Sequence, residues 1–404
     1  MEERSKYQKQ WEIYQKRLKR FLAHDYMPEM NITSRLVRRR GAQGIHISKW
    51  SPPSASASAE RPPTFAEARQ AEYESVTVGV QFGPSWSTHW FKVVVKEDQL
   101  PFSLDNENVY FHWRTSAEGL VWTSTGRAVH GLSPQDRSNF PYSLVRERDP
   151  AAASDRTVFY IEMACNGLFG NGCDNLISPP DPGRQFRLEG CEMREYDPAA
   201  LRLFYDLQIM DEMIRTWGEG SAMGKRALFI ANRIINAFHL IPGGGSTIEG
   251  CQEIASAFLR AAPVSGSAVG MTVAAVGNCH IDTAWLWRYG ETRRKTARSW
   301  SSQLALMERH PRYVFVASQM QQLAWLRDDY PELFSRIQAA YRAGKFLPVG
   351  GSWVEMDGNL PSGESFVRQF LYGQKFVAQH FDGLVNDTFW LPGTAPPPSP
   401  TDRH

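Results

Sequence analysis

The strongest constraint on the fold of this chain is the alternation of strand and helix patterns in its C-terminal third. Apolar runs predict strands at residues 271–279, 313–317, 346–349 and 388–391, and helical patterns fill the intervals between them. This order implies a parallel sheet with right-handed crossovers. Functional groups in such sheets gather at the carboxyl ends of the strands. We therefore predict an α/β domain with a site at that edge.

The first predicted strand leads into a pair of potential metal ligands. Val273 to Val276 is an apolar run that predicts a buried strand, and His280 and Asp282 follow two residues apart. Alternate side chains of an extended segment point to the same face. An imidazole and a carboxylate placed in this way can chelate one divalent cation. A bare pair of this kind is, however, more often incidental.

Aromatic residues follow the pair directly. Trp285 and Trp287 offer flat apolar surface on which a sugar ring can stack. For Trp285, stacking on a sugar and packing beneath the site are weighed about equally. Cys279 alternates to the face opposite the ligand pair, which predicts a place in the core. The basic helix residues Arg293, Arg294, Lys295 and Arg298 are predicted to form a solvated helix face.

A second polar cluster follows the third predicted strand. Trp353, Glu355 and Asp357 are candidates for contact with a substrate. Glu364 is interpreted equally well as a favourable charge in the first turn of a helix that Ser362 caps. Two polar clusters at one sheet edge strengthen the prediction of a site there.

Composition excludes several classes of function. The net charge of +2 gives no reason to expect a nucleic acid or an anionic membrane surface as partner. The sequence contains no run of eighteen apolar residues, so no membrane span is predicted. Residues 1–25 lack the apolar core of a secretory signal. Five scattered cysteines predict neither a zinc ribbon nor a disulfide framework. A reducing, cytoplasmic location is the simpler interpretation.

The composition and residue patterns of the sequence predict five segments. They are an N-terminal helix and linker (1–74, with a mobile stretch at 51–63), a β-sandwich (75–195), a helical connector (196–270), a partial α/β catalytic domain (271–392) and a disordered tail (393–404). The sandwich prediction rests on short β-branched and aromatic runs separated by turn residues. Its tryptophans, Trp86, Trp90, Trp113 and Trp122, are favoured as core residues over an exposed carbohydrate-binding row.

Several long motifs resemble one family of enzymes. They are HIDTAWLW at residues 280–287, WVEMDGNLPSGE at 353–364 and FWLP at 389–392. The similarity is dense from Met271 to Pro392 and weaker upstream. These motifs resemble glycoside hydrolase family 38, the α-mannosidases of the cytosolic and vacuolar type. The expected architecture is a β-sandwich, a helical connector and the first part of a parallel β/α barrel-like catalytic domain.

The resemblance implies a chemistry. It implies metal-dependent, retaining hydrolysis of terminal α-linked mannose from oligosaccharides, with zinc or cobalt as the metal. His280 and Asp282 match two of the metal ligands of the family, and Trp285, Trp353 and Asp357 are the expected substrate contacts. A location in the vacuole or lysosome lumen is the alternative to the cytoplasm. The sequence leaves a homo-oligomer open.

One position departs from the family pattern. The family has a nucleophilic Asp after Trp-Leu-Pro, but Gly393 follows Pro392 in this chain. Glycine cannot act as a nucleophile, and loss of a covalent nucleophile costs several orders of magnitude in rate. We therefore predict that the chain as written is inactive. The Pro-rich residues 394–404 bear no relation to the family and predict disorder.

Two rival interpretations remain at this point. A non-catalytic carbohydrate-binding or regulatory protein would use the sandwich, and an exposed row of tryptophans would favour it. A different metallohydrolase of the barrel type would need a second His pair later in the chain, and the sequence contains none.

Overall fold

A computed structural model of the protein describes residues 2–24, 27–52, 62–134, 156–171, 179, 181–239, 245–261 and 273–392. Most of the predicted linker at 51–63 lies outside the described residues, as do Gly393 and the predicted tail. Within the described ranges, no helix combines the length and the apolar character that crossing a membrane requires.

Two antiparallel sheets form the N-terminal sandwich. One sheet contains β1 (Val37–Gly41), β4 (Gln81–Phe82), β6 (Val109–Thr115) and β10 (Phe186–Tyr196). The other contains β2 (Ile45–Trp50), β3 (Glu74–Val76), β5 (Thr88–Lys96), β7 (Glu118–Thr123), β8 (Ala128–Leu132) and β9 (Arg156–Ala164), in the order β3-β2-β5-β9-β7-β8. The predicted β-sandwich is confirmed.

The sandwich includes strands that the sequence did not predict. β1 and β2 lie within residues 1–74, which we assigned to a helix and a linker, and β2 pairs with β5 along its whole length. β1 was missed because it is an edge strand whose consecutive arginines 38–40 are exposed and lack apolar alternation. These arginines form ion pairs with acidic residues near and beyond the end of β10.

Both faces of the six-stranded sheet are buried. On β5, Phe91 and Val93 point into the core between the two sheets, whereas Trp90 points outward. Tyr160 of β9 points outward as well. Side chains alternate along a strand, so the same strands can serve two cores. The outward residues pack against the C-terminal part of the chain, which joins the sandwich firmly to it.

The tryptophans of the sandwich are core residues, which is the alternative that the sequence favoured over an exposed carbohydrate-binding row. Trp90, Trp113 and Trp122 are buried, and Trp86 is partly buried. These four side chains therefore do not form the exposed row that a carbohydrate-binding sandwich would require.

Helices form a separate layer. They are α1 (Glu2–Leu22), the short α2 (Phe65–Gln70), which packs beside the sandwich, and the connector helices α3 (Pro198–Trp217), α4 (Ala222–His239) and α5 (Gly245–Ala261). α3 begins at Pro198 because the Asp197 side chain accepts two backbone N–H groups of its first turn. Leu18 and Phe21 bury the apolar stripe of α1 in the connector core. The helical connector of the expected architecture thus has α1 as a further member.

The C-terminal part contains a parallel three-stranded sheet with helices between and after its strands. Its elements are β11 (Gly277–Asn278), α6 (Tyr289–Arg309), β12 (Phe315–Gln319), α7 (Met320–Asp329), α8 (Pro331–Arg342), β13 (Phe346–Ser352) and α9 (Gly363–His380). The strand order β11-β12-β13 follows the chain. This agrees with the predicted α/β class and its parallel sheet.

Two strand predictions in this part are wrong. Residues 273–276 are not a buried strand, since Val273 and Val276 are exposed and only β11 is paired. Residues 388–391 form no strand, although Trp390 lies beside Gly350 of β13. The physical reason is the same for both segments. Among the described residues neither has a partner strand, so its apolar residues have no ladder in which to be buried.

Candidate functional site

His280 and Asp282 lie together beyond the end of β11. Nε2 of His280 is 3.4 Å from Oδ1 of Asp282, and both side chains are about 40% exposed. The intervening Ile281 is buried, and its carbonyl accepts from the side-chain amides of Gln319 and Gln322, both at 2.7 Å. The segment is therefore held in place by β12 and α7, and its two polar side chains are partly exposed to solvent.

Glu355 holds the imidazole from the other side. Its side chain is buried and accepts from Nδ1 of His280, from the hydroxyl of Ser318 and from Nε2 of Gln319, the last at 3.0 Å. This hydrogen bond to Glu355 raises the pKa of His280 above its ordinary value, which outweighs the effect of burial. When the ring is neutral and Nδ1 is the donor to Glu355, Nε2 is left with the lone pair that a cation between His280 and Asp282 would require.

This role of Glu355 was not predicted. The sequence marked Glu355 only as one of several possible substrate contacts. The usable signal is a carboxylate after the third strand of a parallel sheet, opposite a histidine after the first, because both strand ends meet at one edge. Among the described residues no group of three or more His, Cys, Asp or Glu side chains is arranged to hold a metal ion. The site thus offers two outward donors and one orienting carboxylate.

The turn after Asp282 places one tryptophan in solvent and one in the core. Ala284 adopts a left-handed backbone with φ of +71°, a strained conformation for a residue with a side chain. Thr292 of α6 stabilises the turn, since its hydroxyl oxygen accepts from the backbone N–H of Ala284 and from Nε1 of Trp287, both at 3.1 Å. Trp287 is buried, whereas Trp285 remains 44% exposed. Trp285 is therefore available for stacking.

Trp353 is partly buried, whereas Asp357 is exposed but already has partners in its own loop. The Trp353 ring is partly buried against Phe376 of α9, and its Nε1 donates to Oε1 of Gln321 at 2.8 Å. Asp357 accepts from the backbone N–H groups of Asn359 and Leu360, which lowers the pKa of its carboxyl. It therefore caps its own loop. Their predicted contact with a substrate stays a prediction.

Other residues near the site keep more ordinary roles. Cys279 is partly buried against the core, as expected from its alternation. Glu364 pairs with Arg368 in the first turn of α9, at 2.9 Å and in solvent. This is the helix-terminal role that the sequence gave as one of two alternatives.

The prediction of a solvated basic face on α6 is wrong for three of its four residues. Arg294, Lys295 and Arg298 are each more than 90% buried, and only Arg293 is partly exposed. The helix lies on the outward face of the six-stranded sheet, and the acidic partners come from strands far away in the sequence. Charge pattern along one helix cannot reveal such partners.

Buried acidic residues compensate these cations. Arg294 Nε donates to Glu162 of β9 at 3.0 Å, and Lys295 Nζ donates to Glu118 of β7 at 2.6 Å. Burial alone would raise the pKa of Glu291, but the surrounding cations outweigh burial and lower it. Arg298 donates to both Glu118 and Glu291. Three cations and three carboxylates therefore balance in the contact between the domains.

Comparison with known proteins matches both domains. The profile described as "Glycosyl hydrolases family 38 N-terminal domain" matches residues 270–394. The profile described as "Alpha-mannosidase, jelly roll domain" matches residues 43–194, which agrees with the early start of the sandwich.

Individual relatives extend the match to nearly the whole chain. Alpha-mannosidase 2C1 of Homo sapiens is 39% identical over 389 residues, covering 96% of this chain and 35% of the relative. Alpha-mannosidase G of Dictyostelium discoideum is 38% identical over 381 residues, covering 94% of this chain and 33% of the relative. An alpha-mannosidase of Saccharomyces cerevisiae is 39% identical over 337 residues, covering 80% of this chain and 30% of the relative.

The chain spans about a third of the length of these curated relatives. Within that share, both domain matches and the long sequence similarity agree with the architecture described above. The chain therefore belongs to glycoside hydrolase family 38, the α-mannosidases, and contains the jelly roll domain together with sequence of the family's N-terminal domain.

Proposed function

We propose that this chain recognises terminal α-linked mannose in oligosaccharides at a divalent-cation site formed by His280 and Asp282. The observation that carries the proposal is the convergence of Nε2 and Oδ1 at 3.4 Å, with Glu355 buried behind the imidazole. In a metal-binding histidine, the ring N–H that does not face the metal usually donates a hydrogen bond to a carboxylate or carbonyl.

The donor set suits zinc or cobalt. One imidazole nitrogen and one carboxylate oxygen are ligands that both cations accept. Bound there, the cation would supply positive charge that holds sugar hydroxyls. Glu355 and Ser318 would fix the ring of His280, and the amides of Gln319 and Gln322 would fix the backbone between the ligands.

Trp285 is the side chain that we expect to contact the sugar ring. It follows Asp282 by three residues and is exposed beside the ligand pair. The relatives carry the name alpha-mannosidase, which supports mannose-containing oligosaccharides as the ligands. Trp353 and Asp357 are proposed to line the outer part of the same site.

The reaction proposed for the family is metal-dependent and retaining, with a carboxylate nucleophile. In this chain Gly393 stands at the position where the family resemblance expects that nucleophile. A covalent glycosyl-enzyme then has no carboxylate on which to form. We propose that the chain as written binds mannosides without cleaving them.

A cytoplasmic location is proposed for the chain, with the vacuole or lysosome lumen as the alternative. Cys165, Cys191, Cys251 and Cys279 are unpaired thiols within the described residues. Burial raises the pKa of the first of these, Cys165, to about 12, so its thiol stays protonated and unreactive.

Two measurements on the 404-residue chain test this function. We expect methyl α-mannoside to bind in the presence of zinc or cobalt, and His280→Ala to abolish the binding. We expect a chromogenic α-mannoside to be hydrolysed no faster by the chain than by the His280→Ala variant. Hydrolysis that depends on His280 would contradict the proposed lack of cleavage, and Asp357 would be the first carboxylate to replace. Binding that survives His280→Ala would contradict the cation site.

A further inference from the structure

A tight turn of the sandwich domain reaches the candidate site. After β9, Gly167 and Gly170 exchange two backbone hydrogen bonds, with N–O distances of 3.1 and 3.0 Å, and enclose Leu168 and Phe169. A closed pair of this kind leaves the two enclosed residues little conformational freedom. Phe169 lies at the tip with 56% of its surface exposed.

Lys295 belongs to the buried charge cluster, which consists of Glu118, Glu162, Glu291, Arg294, Lys295 and Arg298, and it holds this turn. Lys295 Nζ donates to the carbonyl of Leu168 at 3.0 Å and to Oε2 of Glu118 at 2.6 Å. Asn166 donates to the same Glu118 oxygen at 2.6 Å, and its carbonyl accepts from the Glu118 backbone N–H. The lysine of one domain therefore fixes both the base and the tip of a turn in the other.

The turn lies directly on the segment that follows Trp285. A Cβ atom at Gly170 would be 2.2 Å from the carbonyl oxygen of Leu286, so only glycine fits this approach. The ring of Phe169 then lies beside that of Trp285, with centroids 6.4 Å apart and an angle of 84° between the planes. Two exposed rings from two domains thus meet at a right angle and form an open corner.

The corner is close to the proposed mannose position. Trp285 follows Asp282 by three residues, which can span at most about 11 Å of chain. A terminal mannose held at His280 and Asp282 is therefore near the face of Trp285. Phe169 lies beside Trp285 on the side of the sandwich domain, so its ring is within reach of a sugar linked to that mannose.

Phe169 is not explained by packing of the core. More than half of its surface faces water, and the buried Lys295 and Glu118 hold the turn that presents it. A single exposed ring is ordinary, but here two neighbouring exposed rings lie near two polar side chains, and ligand sites combine aromatic walls with a few polar groups that fix the orientation. The apolar C–H face of a hexose fits such a ring.

We propose that Phe169 forms the subsite for the sugar residue adjacent to the terminal mannose. The jelly roll domain would then determine the preference of the site for an oligosaccharide over a single mannose. The inference rests on the proposed function, since it assumes that mannose is bound at His280 and Asp282.

The test compares two ligands on the 404-residue chain with zinc present. Dissociation constants for methyl α-mannoside and for a methyl α-mannobioside are measured by titration calorimetry. We expect the disaccharide to bind more tightly, and Phe169→Ala to weaken its binding about fivefold while the monosaccharide is unaffected. Phe169→Tyr keeps the ring and should keep the preference. Phe229→Ala removes an equally exposed ring of α4 and serves as the control.

The outcomes separate the two proposals. Equal affinity for both sugars, or an unchanged disaccharide preference in Phe169→Ala, would overturn the Phe169 subsite and leave mannose recognition intact. A loss of monosaccharide binding in Phe169→Ala would also overturn it, since the ring would then serve the mannose itself. Binding of neither sugar by the unaltered chain would overturn both the subsite and the proposed function.

Discussion

Lys295 of α6 donates from Nζ to Oε2 of Glu118 at 2.6 Å, across the contact between the α/β part and the jelly roll domain. The same ammonium lies 4.6 Å from the ring centroid of Trp287, which adds a cation–π contact. A single side chain therefore links a strand of one domain, a turn of that domain and the aromatic segment of the candidate site.

Removing the ammonium group of Lys295 should lower the free energy of unfolding substantially. Lys295→Met would leave Glu118 buried with only part of its compensation, and breaking a buried pair in this way costs about 3–5 kcal/mol of unfolding free energy. Urea unfolding followed by fluorescence measures the loss. The control is Arg293→Met on the same helix, whose partner Asp329 is partly exposed, and it should cost less than about 1 kcal/mol. Equal losses for the two variants would refute a special role of the buried cluster.

A close approach between α9 and β13 gives a second prediction. A Cβ atom at Gly373 would be 2.2 Å from the carbonyl oxygen of Gly351, and that backbone cannot yield easily. Gly373→Ala should lower the unfolding free energy by about 2 kcal/mol, as overpacking does. Gly290→Ala on α6 meets open space and should raise it by about 0.4–1 kcal/mol. Thermal unfolding of both variants measures the difference, and a stabilised Gly373→Ala would show that the contact is loose.

Buried histidine makes stability depend on pH. Burial, reinforced by Arg194 and Arg40, lowers the pKa of His112 to about 3, against about 6.5 for an unfolded chain. Between these values the unfolded state binds a proton that the folded state does not. Stability from this residue is therefore complete above pH 6.5 and falls as the pH decreases, by at most about 1.4 kcal/mol per pH unit.

His112→Gln tests this dependence. The variant should show a shallower decline of unfolding free energy between pH 6 and pH 4 than the unaltered chain. His46→Gln changes an exposed histidine of β2 and should leave the slope as it is. A slope that is the same in all three proteins would mean that His112 does not contribute to it.

The cation site predicts a graded loss of metal affinity. Zinc or cobalt binding, measured by calorimetry, should disappear in His280→Ala. It should weaken about tenfold in Glu355→Gln, because the orienting carboxylate raises the basicity of the ligand. His310→Ala removes an exposed histidine at the end of α6 and should change nothing. Full affinity in Glu355→Gln would show that the carboxylate does not tune the imidazole.

The local parts of the candidate site were predictable from the sequence. His280 and Asp282 are two residues apart on either side of the buried Ile281, so their side chains can share the outer side of the segment. The burial of Arg294, Lys295 and Arg298 was not predictable in this way. Their partners Glu118 and Glu162 lie more than 130 positions away, and only tertiary packing brings them together.

Phe169 shows a further limit of sequence reasoning. The pattern Gly167-Leu-Phe-Gly170 is recognisable as a tight turn, but nothing in it reveals which surface the turn will contact. Strand β1 was missed for the opposite reason. Its consecutive exposed arginines give no apolar alternation, so the sequence does not predict a strand there. The strand is defined by its pairing with β10.

The outward face of the six-stranded sheet bears on how this domain can evolve and be exchanged. Glu118 and Glu162 would lose their buried partners Lys295, Arg298 and Arg294 if α6 were removed. The jelly roll domain is therefore not a transplantable module bounded by its flanking linkers. An exchange of this domain between relatives would have to transfer α6 together with the sheet. The residues that complete the sheet lie on a helix more than 100 positions later in the chain.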